Sequence, residues 1–180
     1  MRLPFLKHLL DSVLVLSRPQ RVVVVGSSSL LPMHPGLGDS GQPLELSLDG
    51  DFLIDPVDQM IADMLKDAIG SESVFEQRHG YYADILRPEM TETLPAGWAT
   101  RLHPVAGYDN VFALDAYDLA VVKLMVGRAK DLELLRALLR LGIIAPARLQ
   151  QHYQVTPLDE RDAFTAGRNL TLLLRELGPD

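Results

Sequence analysis

The sequence predicts an α+β fold: a mixed β-sheet flanked by helices, with a helical C-terminal part. Three features carry that reading. Four valines in a row, residues 22–25, read as a buried strand, because β-branched side chains pack well on a pleated sheet. Short strand-like runs and helices follow in irregular order, which is the pattern of a mixed sheet rather than of a regular alternation. From Ala116 onward the chain is helical in pattern, with Gly142, Pro146 and Thr156-Pro157 as punctuation.

In chain order, residues 3–16 form an amphipathic helix, with Leu6, Leu9, Leu10, Val13 and Leu14 at helical spacing and Arg18-Pro19 closing the run. The valine strand ends at Gly26, after which Ser27 or Ser28 caps a short helix bearing Leu30 and Leu31. Proline and glycine at 32, 35, 36, 38, 41 and 43 make residues 32–43 a loop. Leu44, Leu46 and Leu48 alternate with Glu45 and Ser47, predicting a half-buried strand that runs on to Ile54. Asp55-Pro56 reads as the cap and first residue of a helix over 57–69. Strands are expected at 80–86, 100–105 and 111–114, with a polar loop from Pro88 to Gly97. Helices are expected at about 116–127, 129–141, 145–153 and 158–177. The expected organisation is a core over 1–115 and a helical part over 116–180 packed on it as one compact unit.

Composition narrows the function. The chain has 180 residues, 47% of them hydrophobic and 23% charged, which is globular. It has no cysteine, so disulfides, thiolate metal sites and a cysteine nucleophile are excluded. The net charge of −7 argues against an extended nucleic-acid surface, though not against a local basic site. The apolar N-terminal run is broken by Lys7, His8 and Asp11 and is too short to span a bilayer, so no export or membrane segment is expected and the cytoplasm is the default.

Three sets of residues carry chemistry. Asp49-Gly50-Asp51 on a strand would project both carboxylates to one face, where they repel unless a cation such as magnesium neutralises them. A solvated acidic turn is the plain alternative. Gly26, Ser27 and Ser28, after the valine strand, offer N–H groups and hydroxyls to a phosphate, or simply make a serine-capped turn. Residues 118–131 form a very apolar stretch in which Lys123, Arg128 and Lys130 cluster on a helical projection. Such cations suit a triphosphate; a salt-bridged helix, with Arg128 and Asp131 paired and Gly127 as a break, fits equally. His8, His34, His79, His103 and His152 show no metal-ligand spacing, and Trp98 reads as a packing anchor.

Taken in order, these motifs resemble the polymerase-β-type nucleotidyltransferase superfamily. More closely, the chain is similar to a family of small bacterial nucleotidyltransferase-like proteins, distantly like the AbiEii toxins of abortive-infection systems. The resemblance covers roughly residues 21–144. It rests on Val25-Gly26-Ser27, Ser47-Leu48-Asp49-Gly50-Asp51, Gly80-Tyr81-Tyr82-Ala83, Leu94-Pro95-Ala96-Gly97-Trp98, and Asp118 through Lys123 with Gly127 through Asp131. It implies that Asp49 and Asp51 hold magnesium, that Gly26 and Ser27 cradle the β- and γ-phosphates, and that Lys123 and Arg128 clamp an NTP. An acceptor oxygen would attack the α-phosphate and release pyrophosphate. The acceptor is open: a protein, a small molecule or an RNA end. A third carboxylate from a later strand normally completes such a site, and Asp84 is the candidate this sequence offers, without support from the resemblance. The rival expectation is a non-catalytic module of the same fold, an interaction protein of a toxin–antitoxin or defence system.

Overall fold

The computed structural model describes residues 1–177. The chain folds as two compact units. One holds residues 1–90 and 102–114; the other holds residues 91–101 and the described residues from 115 onward.

The first unit is built on a five-stranded mixed sheet in the order β3-β2-β1-β5-β4. Its strands are β1 (Arg21–Val25), β2 (Asp49–Asp55), β3 (Tyr82–Ile85), β4 (His103–Pro104) and β5 (Val111–Ala113). β1 lies antiparallel to β2 and parallel to β5, while β2 and β3 run parallel. β4 closes the far edge antiparallel to β5. The two faces of the sheet differ. Val22, Val24, Phe52 and Ile54 share one face by register and are buried. Helix α1 (Leu3–Ser17) covers it with Leu6, Leu9, Leu10 and Val13. The fit is tight at Gly50, where a Cβ would come within 3.0 Å of the Leu9 side chain. The opposite face carries Val23, Val25 and Leu53 and, at its end, Asp49 and Asp51. Helices α2 (Gln59–Ile69) and α3 (Val74–His79) connect β2 to β3, with α2 packed on α1 and β3.

The second unit is helical: α4 (Ala116–Val126), α5 (Ala129–Arg140), α6 (Pro146–Gln154) and α7 (Glu160–Leu177). The 3₁₀ turn Trp98–Thr100 also belongs to it. α4 is apolar almost all round, and the other three helices pack against it. Asp115 caps α4 by accepting from the Tyr117 N–H at 2.8 Å. Asn169 of α7, nearly buried, donates to the Leu124 carbonyl of α4 at 2.8 Å.

Four local expectations are corrected. Leu44–Leu48 is not a strand: it is a run of turns in which Leu44 is buried but Leu46 is 87% exposed. Leu–polar alternation there mimics a pleat, yet the chain bonds to itself three residues away, as Ser47 N–H to Leu44 carbonyl. Loop 32–43 contains one 3₁₀ turn, Pro35–Gly38. Asp55 and Pro56 do not start α2; Asp58 caps it instead, accepting from the Ile61 N–H at 2.8 Å. Helix α3, with Ser73 as its cap, was not anticipated, and the strand expected over 100–105 shrinks to two residues. Among the described residues no helix is long and apolar enough to cross a membrane.

Candidate functional site

The turn after β1 is made by a glycine in a strained, tightly packed position. Gly26 has φ +58°, in the region that disfavours side chains, and a Cβ there would lie 1.9 Å from Oδ2 of Asp51. The absent side chain lets the Asp51 carboxylate sit directly against the backbone of the turn. The 3₁₀ turn Ser27–Leu30 follows. Ser29 Oγ donates back to the Gly26 carbonyl at 2.8 Å and locks the corner. Ser28 is buried, and its hydroxyl makes no hydrogen bond. An orphaned buried hydroxyl costs stability unless a ligand or water takes it up.

Register then gathers the acids. Asp51 pairs with Val25 on one side and lies level with Asp84 of β3 on the other. Asp49 lies level with Tyr82. Side chains alternate along a strand, so Asp49, Asp51, Tyr82 and Asp84 all project from one face. Ser47 Oγ donates to Asp49 Oδ1 at 3.1 Å. The electrostatics are those of crowded like charges. The Asp84 carboxyl is pushed above its ordinary value by partial burial and by the charge of Asp49, with Lys66 opposing. The Tyr82 phenol is likewise raised by burial and then by Asp49, Asp84, Glu76 and Asp51. The donor set is all oxygen and strongly negative, which fits a hard divalent cation such as magnesium better than a nitrogen- or sulfur-seeking one.

The expected basic residues lie in the second unit, arranged differently from a single helical wall. Gly127, at φ +63°, ends α4 in the left-handed conformation, so residues 118–131 are two helices and a corner. A side chain at 127 would also meet the amide of Asn169 at 2.5 Å. At this corner Asp131, 1% exposed, receives Lys123 Nζ at 2.9 Å and Arg128 Nε at 2.7 Å. Burial pushes the Asp131 carboxyl up, but the hydrogen bonds and charges of Arg128 and Lys123 outweigh it and hold it below its ordinary value. Lys123 is nearly buried, Arg128 is exposed, and Lys130 is exposed outside this cluster.

A second acidic cluster escaped the sequence reading. Asp118, fully buried on α4, accepts from Arg101 Nε at 2.9 Å and Nη2 at 2.6 Å, and meets His152 Nε2 of α6 at 2.9 Å. Asp115, Asp118 and His152 each offer a ligand atom within 4.8 Å of the others, a possible metal-binding group. The bidentate arginine already balances Asp118, so the geometry there is that of a closed ion-pair network. The three residues are 3 and 34 positions apart, and only the α4–α6 packing signals their meeting.

The mixed sheet, with a glycine–serine turn beside an acid-x-acid strand and helices after it, is consistent with a nucleotidyltransferase-type fold. The family model described as "Nucleotidyltransferase of unknown function (DUF6036)" matches residues 3–156, and the chain belongs to that family. Among curated proteins nothing matches the chain, and among solved structures nothing matches it either.

Proposed function

We propose that the protein is a magnesium-dependent nucleotidyltransferase acting from the carboxylate face of the first unit. One observation carries the reading: the Asp51 carboxylate occupies the space a side chain at 26 would fill, with Asp84 level with it on the neighbouring strand. Asp49, Asp51 and Asp84 would hold the metal. When bound, the metal would supply charge neutralisation of the phosphates and stabilisation of the attacking and leaving oxygens. The N–H groups of the turn and the hydroxyls of Ser27 and Ser28 would bind phosphate oxygens. In the transfer, an acceptor oxygen bonds to the NTP α-phosphorus, the α–β phosphoanhydride bond breaks, and pyrophosphate leaves. Asp84, level with Asp51 on the neighbouring strand and exposed, is the carboxylate placed to take the acceptor's proton.

The test is calorimetry with magnesium and each of the four NTPs. Wild type binds at least one. Asp49→Asn with Asp51→Asn keeps the fold, read by circular dichroism, and loses that binding. Unchanged affinity in the double variant overturns the assignment. The second reading, a non-catalytic binding module of the same fold, is favoured by one observation: Lys123 and Arg128 are both engaged by Asp131. Transfer of a labelled nucleoside monophosphate to any protein, small molecule or RNA end decides between the two, since the module would bind and not transfer.

A further inference from the structure

Two exposed helix faces of this chain complement each other in shape of residue and sign of charge. On α7, Arg161, Phe164, Arg168, Thr171, Leu172 and Arg175 fall within about 100° of the helix projection. All six are exposed, Phe164 by 72% and Leu172 by 46%. Several of them line an open groove together with Gly167. Among the described residues none of the three arginines makes an ion pair, although the chain as a whole carries a net charge of −7. On α2, Met60, Asp63, Met64 and Asp67 likewise fall within about 100°. All four are exposed, Met60 by 75% and Met64 by 38%. One face is cationic and apolar; the other is anionic and apolar.

We propose that α7 of one molecule docks on α2 of a second copy of the same chain. Phe164 and Leu172 would pack on Met60 and Met64, where a polarizable thioether suits an aromatic ring. Arg168 and Arg175 stand seven residues apart, about 10 Å along the helix, and bracket an acid pair four residues apart, about 6 Å. Both acids would then find a guanidinium at the rim of an apolar centre, the layout of a specific interface. The contact is heterologous: each copy offers one face of each kind, so the pairing closes as a dimer or ring or extends as a chain. A second α7 is excluded as the occupant because three arginines would face three arginines.

Sedimentation velocity of the full chain tests this at concentrations up to on the order of 100 µM, at low and high salt. Wild type self-associates at low salt, and high salt weakens it. Asp63→Lys with Asp67→Lys, or Arg168→Glu with Arg175→Glu, each lowers the association roughly tenfold or more. Thermal unfolding confirms that these surface variants remain folded. Mixing the two variants restores association, because the reversed α2 of one now complements the reversed α7 of the other. A monomeric wild type at both salts, association that survives both reversals, or a mixture that stays monomeric overturns the proposal.

Discussion

The acids of the two units live under opposite rules. On β2 and β3, Asp49, Asp51 and Asp84 crowd one another, and Asp84 is pushed toward its neutral form. In the helical unit, Asp118 and Asp131 are more deeply buried, yet each is met by two partners, and Asp131 is held ionised. Burial alone therefore does not distinguish function from structure. What differs is the sign of the dominant neighbours: like charge beside Asp84, guanidinium and ammonium beside Asp131. A set of crowded carboxylates at an exposed strand end is the one suited to a cation that arrives from outside.

The largest expected effect lies on the balanced side. Asp131→Asn removes the countercharge of the nearly buried Lys123 and is expected to cost about 3–5 kcal/mol of stability, read by urea unfolding. Adding Lys123→Met recovers much of that loss if the pair is structural. No recovery would break the contrast by giving Lys123 a further role. Gly26→Ala comes next. It forces a Cβ into Asp51 at a backbone conformation alanine resists, and roughly 2–3 kcal/mol is expected, together with loss of magnesium–NTP binding. Asp84→Asn is the smallest in stability and the most telling in sign. It relieves repulsion and stabilises the fold, by under about 1 kcal/mol because Asp84 is exposed to screening water, while weakening metal-dependent binding.

pH separates the two regions further. A raised carboxyl binds its proton more readily folded than unfolded, so the Asp84 contribution makes the fold less stable as pH rises from about 4 through the folded value. A lowered one does the reverse: the Asp131 contribution is complete above about pH 4 and is lost as pH falls through its depressed folded value. Acid unfolding of Asp84→Asn and Asp131→Asn should therefore change slope in opposite directions relative to wild type. Parallel curves would remove the distinction.

Much of the candidate site was legible because strand periodicity is local. Two aspartates flanking one glycine must share a face once they lie on a strand, and the residue after a valine run must turn. The level of Asp84 against Asp51 was not legible, because register is set by which strand pairs with which, a choice made by the whole sheet. The Arg128–Asp131 pair and the break at Gly127 are one of the two readings the sequence offers; the helical projection that groups Lys123 and Lys130 with them does not continue across the corner. Arg101 and His152 gave no signal, since they reach Asp118 from 17 and 34 residues away. The Leu44–Leu48 alternation misled because nothing pairs with a pleat of leucines unless a neighbouring strand is free to do so; β2 finds β3 only from Asp49 onward and β1 only from Asp51.

The chain leaves its first unit at residue 90, returns at 102 and leaves again at 114. Neither unit is therefore a continuous fragment that could be cut out and expressed alone. Truncation after residue 114 would strand residues 91–101 and leave Arg101 without the aspartate it grips in the helical part. Limited proteolysis near Asp115 should yield pieces that do not survive separation. For the same reason, recombination that exchanged one half of this chain for another would have to carry an interior segment along with a terminal one.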